Sequence, residues 1–167
     1  MKKSLFLVSL ILLINSCKEQ RPNQEIWQPL FNGKDLSDWE IKFANHEINF
    51  NLNNTFRVQD SMIRISYDDY NTFDDSYAHI YYNKPFSYYK LRFDYRFLGD
   101  QVSGGEIWNI RNSGIMLHSQ SARSNDFGQF FPVSIEIQLL GGLGKEMRTT
   151  GNLCTPGTAV EIDGKIN

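Results

Sequence analysis

Apolar and polar residues in this chain alternate in short runs, and no window shows a persuasive apolar repeat of three to four residues with helix caps. The run TFRVQDSMIRISY places Phe56 and Val58 before, and Met62, Ile63 and Ile65 after, an Asp60-Ser61 turn, which predicts a hairpin. YAHIYY and KLRFDYRF give two more strands, broken by Lys84-Pro85, and the second alternates Leu91, Phe93, Tyr95 and Phe97 against Arg92, Asp94 and Arg96. RNSGIMLHS and FPVSIEIQLLG follow as a fifth and a sixth, and Asp163-Gly164 marks a closing hairpin within AVEIDGKIN. Short strands at this spacing predict an all-β sandwich of antiparallel sheets. The last hairpin has hardly a second strand, so the expectation is a sandwich incomplete at its C-terminus, with an exposed edge and either poor solubility or no activity on its own.

The N-terminus breaks this pattern. MKKSLFLVSLILLINSC joins two lysines to about a dozen apolar residues, too few to span a bilayer, and so predicts a secretory leader over residues 1–16. Ile14-Asn15-Ser16-Cys17 resembles the lipobox of bacterial lipoproteins, which implies a lipidated Cys17, a polar linker over 17–27 and a domain over 28–167. The domain opens at IWQPLFNGKDLSDWEI, with an Asn32-Gly33 turn. Loss of Lys2 and Lys3 takes the net charge from −2 to −4, and such an acidic surface argues against nucleic acid as a partner. With Cys17 lipidated, Cys154 has no intrachain partner; a small, partly buried loop residue is the expectation for it, with a reactive thiol as the alternative. Aromatic residues, at 14%, favour strands, and the roughly 150 residues after the leader suffice for one sizeable core.

Candidate chemistry lies in two of the strands. Alternation puts Ile115 and Leu117 on one face and Gly114, Met116 and His118 on the other; likewise Ile135, Ile137 and Leu139 oppose Ser134, Glu136 and Gln138. If the strands are neighbours, His118, Glu136 and Gln138 converge on one surface, where an imidazole and a carboxylate make an acid/base pair. A plain solvent face of an antiparallel sheet gives the same pattern. Gly114 would let a ligand approach the backbone. Arg148 and Asn152, just beyond the second strand, would supply anion or hydroxyl contacts. Trp39 and Trp108 are candidates for stacking on a sugar, with core packing as the default. His79 reads as an ordinary strand histidine, His46 as a loop residue, and the acidic run from Asp68 to Ser76 as a solvated loop lacking the spacing of a calcium site. No phosphate loop, paired-cysteine zinc pattern or nucleophile elbow is present.

Taken in order, LFNGKDLSDWE, FRVQDSMIRIS, YYKLRFDYRF, NSGIMLH and IEIQLL, then a Thr-Gly near 150, resemble the 3-keto-disaccharide hydrolase domain family over roughly residues 28–167. That resemblance implies a concanavalin A-like or laminin G-like jelly roll acting on glycosides whose glucose unit is oxidised at C3. It also implies a cell-envelope lipoprotein whose partners are carbohydrate and, through Cys17, the membrane. A ketone at C3 acidifies the C2 proton, so a base can remove it and expel the C1 oxygen, after which water adds back. Glu136 or His118 would be the base. Arg148, Asn112 or a bound divalent cation would polarise the ketone, and Gln138 would hold hydroxyls, with Ser113, Gly114 and Asn152 also in the site. Two features depart from the family pattern: the chain stops before a Trp-containing strand, and His118 stands near a position commonly held by arginine. Two further readings are a non-catalytic carbohydrate-binding module of the same fold and an envelope interaction protein using the aromatic surface.

Overall fold

A computed structural model describes residues 25–144 and 147–166. The expected leader, the expected anchor at Cys17 and most of the expected linker lie outside the described residues. The fold is all-β: nine strands and three single-turn 3-10 segments, with no α-helix among the described residues. The strands are β1 (Trp39–Phe43), β2 (Phe56–Gln59), β3 (Met62–Ile65), β4 (Ala78–Tyr82), β5 (Asn112–Leu117), β6 (Ile135–Leu140), β7 (Asn152–Cys154), β8 (Glu161–Ile162) and β9 (Lys165–Ile166). All pairings are antiparallel, in four small sheets ordered β1-β4, β2-β3, β5-β6-β7 and β8-β9. This matches the antiparallel β-sandwich of the expected fold class.

The opening turn is held by its own side chains. Asn32 Oδ1 accepts the backbone N–H groups of Lys34 and Asp35, Asp35 Oδ1 accepts that of Ser37, and Gly33 supplies the positive φ of 76°. Hydrogen bonds from Ser37 and then Asn32 hold the Asp35 carboxyl down at about 2. The turn delivers Leu36 to the core and β1 to its partner. There Ile41 and Phe43 share a face, pack with Phe56, and are flanked by Leu36, Leu52, Ala78 and Ile80. Phe43 is fully buried and meets Phe56 edge-on at 5.9 Å. The opposite face of β1-β4 carries Lys42 and His79, paired in register, and covers the loop that leads into β6.

The Asp60-Ser61 hairpin forms as the alternation predicts, with φ of 52° and 55° at the two turn residues, the left-handed pair that a two-residue hairpin requires. Asp163-Gly164 likewise joins β8 to β9, though each is two residues long. The KLRFDYRF run does not become a strand. Its alternation is intact, but YAHIYY pairs with β1 instead, and the segment bearing Leu91, Phe93 and Tyr95 leaves all three exposed. Period-two alternation states which face a strand would present; a backbone partner is a separate requirement.

Candidate functional site

The three-stranded sheet β5-β6-β7 holds most of the candidate residues. Gly114 stands opposite Gln138 and Met116 opposite Glu136; on the other edge Gln138 faces Asn152 and Glu136 faces Cys154. Directly opposed residues project to one side, so Asn112, Gly114, Met116, Glu136, Gln138, Asn152 and Cys154 share a face. The reverse face carries Ile115, Leu117, Ile135, Ile137, Leu139 and Leu153. Each strand thus has the one apolar face that its alternation predicts. Ser113 belongs to that reverse face and is set apart from the polar group.

Three amides run across the sheet in a row. Asn152 Nδ2 donates to Gln138 Oε1 at 3.1 Å, Gln138 Nε2 donates to Asn112 Oδ1 at 3.3 Å, and Asn112 Nδ2 donates to the Trp108 carbonyl at 3.0 Å. Asn152 Nδ2 also reaches the Thr149 carbonyl at 3.2 Å. A primary amide has two N–H donors and two acceptor lone pairs, so the row fixes the orientation of Gln138 while leaving it a second donor and a second lone pair.

Glu136 lies one step along the same face. Its side chain occupies the space above Gly114: a methyl group there would meet the Glu136 carboxylate oxygen at 2.1 Å and its Cγ at 2.7 Å. The open space at Gly114 is therefore taken by Glu136 itself, and the expectation of a ligand against that backbone gives way to a side chain seated on it. Burial raises the Glu136 carboxyl above its ordinary value, and contact with the Cys154 thiol works against that rise. Burial and the Glu136 charge push the Cys154 thiol up in turn, so it stays protonated. Cys154 is on β7, and the loop placement expected for it is corrected. Its two-residue spacing from Asn152 was the available signal, since NLC in an extended strand puts both on the Gln138 face.

His118 does not continue the alternation. β5 ends at Leu117, and His118 adopts φ 47°, which turns the chain out of the strand. Its ring lies 6.0 Å from that of Tyr89, and with Leu117 it lines an open hollow beside Ser87, Tyr88 and Lys90. The expected convergence of His118 with Glu136 and Gln138 is thus replaced by a separate setting. Arg148 is half-buried and spent on carbonyls: Nη1 donates to Ile110 and, at 3.5 Å, to Gly141, while Nη2 donates to Trp108 at 3.1 Å. It ties the segment before β5 to the end of β6, and shares the Trp108 carbonyl with Asn112.

The remaining candidates have structural settings. Trp39 packs edge-on against Tyr82 at 5.3 Å, whereas Trp108 stacks one face on Tyr77 and stays half-exposed. Desolvation pushes His79 down to about 4 and keeps it neutral. His46 hydrogen-bonds the Ala44 carbonyl through Nδ1 and stacks on Phe50. Asp68 and Asp69 pair with Arg64 and Arg57. Among the described residues no three His, Cys, Asp or Glu side chains gather to hold a metal ion, and the donors around Glu136 are neutral amides and a protonated thiol.

No curated protein and no solved structure matches the chain. The model of the 3-keto-alpha-glucoside-1,2-lyase-like domain matches residues 26–165, which takes in all three turns described above, the core strands and the whole polar face. The chain belongs to that family, a domain related to 3-keto glycosides.

Proposed function

We propose that this domain cleaves 3-keto glycosides by elimination and hydration, with Glu136 as the base. The observation that carries the reading is a half-buried carboxyl, raised by desolvation, beside a row of amides on the one polar face of the sheet. A carboxylate that is poorly solvated is a stronger base than one in water, and its proton affinity moves toward neutral pH, where acid/base work is efficient. His118 is the weaker candidate because it faces the Tyr89 hollow.

In this mechanism the Glu136 carboxylate takes the proton from C2. The C–H electron pair forms the enolate of the C3 ketone, and N–H donors of Gln138 and Asn112 stabilise its oxygen, with the Arg148 charge at the end of the amide row. The enolate then returns its electrons to form the C1–C2 double bond and expel the glycosidic oxygen from C1, which leaves as the free alcohol with the proton that Glu136 took from C2, restoring the carboxylate. Water adds across that double bond, its hydroxyl to C1 and its proton to C2, to give the 3-keto sugar. Asn152 and the free side of Gln138 hold ring hydroxyls. Incubation of the full chain with an aryl 3-keto-glucoside is expected to release the free phenol, while the unoxidised glucoside is left intact because its C2 proton is not acidic. Binding of the keto sugar without release would favour a carbohydrate-binding module instead.

We also infer that the protein is anchored in the bacterial cell envelope through a lipid on Cys17, as the basic, apolar leader and the residues before that cysteine support. Cys17→Ala is expected to move the protein from the membrane fraction to the soluble fraction on cell fractionation. Continued membrane association of that variant would count against the anchor.

A further inference from the structure

We propose that Cys154 is a positioning residue for Glu136: from the directly opposed position on β7 its thiol holds the carboxyl on the seat that Gly114 leaves open. The proposal rests on Glu136 being the base, and goes beyond it in assigning what orients that base. Three observations carry it. Glu136 and Cys154 are register partners, so their β-carbons project together from adjacent strands. On the other side, Gly114 has no room for a methyl group because the Glu136 side chain lies over it, and the missing side chain is what makes that seat available. The thiol is protonated and can only donate to an ionised carboxylate, so the contact favours the charged form that a base requires.

Among the described residues, the groups that face Glu136 from its own sheet are few. From β5 come Gly114 and Met116, which carry no charge; from β7 comes Cys154; along β6 itself the neighbour on that face is Gln138. Met116 is further tied by the Ser134 hydroxyl, which donates to its sulfur at 3.3 Å. Cys154 is thus the titratable neighbour of the carboxyl on this face, and the donor whose removal the proton affinity of Glu136 should register.

Direct titration of the Glu136 carboxyl carbon by NMR in the full chain tests this, with the resonance assigned by Glu136→Gln. Cys154→Val keeps the bulk and the burial but removes the donor; its Glu136 midpoint is expected to rise by about half a pH unit relative to the parent. Cys154→Ser keeps a stronger donor and is expected to lower the midpoint. The order Val above Cys above Ser supports the assignment. Equal midpoints in all three, or the reverse order, would overturn it. The Ser variant decides alone if the Val variant fails to fold. Should the midpoints order as expected while neither parent nor variants release phenol, the positioning contact stands and the reading of Glu136 as a base falls. If release occurs, its acidic limb should move with the midpoint.

Discussion

Glu136→Gln is expected to reduce phenol release from an aryl 3-keto-glucoside by about a thousandfold, with binding of the sugar retained. Glutamine keeps the shape and an oxygen acceptor for the Cys154 thiol, so the seat on Gly114 and the register with β7 survive. What it lacks is a site for the C2 proton. The same substitution separates chemistry from stability. The folded-state value of the Glu136 carboxyl is raised above its unfolded value, so the favourable contribution of its neutral form is present below the unfolded value and is lost as pH rises through the folded one. Glutamine stays neutral throughout, so the variant should be no less stable than the parent at neutral pH. Steady-state rates at saturating substrate, set beside denaturation midpoints, check both halves. Unchanged turnover in a folded variant would remove Glu136 from the mechanism. In the parent, the rate should climb with pH across the Glu136 titration, because the base works only when ionised.

The parts of this site that were legible in the sequence are those governed by a period of two. Ile115 and Leu117, and Ile135, Ile137 and Leu139, fall on the apolar face because side chains alternate whatever the strand's partner, and Gly114, Glu136 and Gln138 fall opposite for the same reason. The Asp60-Ser61 hairpin was legible because two adjacent strand-like runs with a short turn have little choice of partner. What failed depended on single dihedrals or on distant partners. His118 leaves the face of Met116 because of one positive φ, which an imidazole side chain does not announce. Leu91 to Phe97 alternate as well as any segment, yet pairing with β4 lost to β1, thirty-five and more residues earlier in the chain. The use of Arg148 on three carbonyls, and not on a ligand, follows from how the segments flanking β5 and β6 meet.

Lys42→Met is expected to destabilise the fold by about 3 kcal/mol. Nothing in WEIKF marks that lysine as internal, yet it is 7% exposed, on the face of β1 away from Phe56. Its ammonium donates to the carbonyls of Phe43 at 3.0 Å, His46 at 2.7 Å and Phe127 at 3.2 Å, and stands 5.3 Å from the centre of the Phe127 ring. Three donors thus meet three acceptors on two segments, a match that suits an ammonium better than a planar guanidinium. Methionine keeps most of the stem's packing, so the loss isolates the hydrogen bonds: the Phe127 carbonyl retains the Asn45 N–H at 2.7 Å and the Phe43 carbonyl the His46 N–H at 3.4 Å, but the His46 carbonyl loses this donor. The effect should reach the polar face, because the segment around Phe127 leads through Gln120, whose side chain accepts the Val133 N–H, into the start of β6 and hence to Glu136. Urea denaturation should show a lower midpoint at an unchanged m-value for Lys42→Met, with Lys42→Arg also destabilised. A loss below about 1 kcal/mol would mean that water reaches those carbonyls when the lysine is gone, and that packing and the Asn45 N–H suffice to hold the loop.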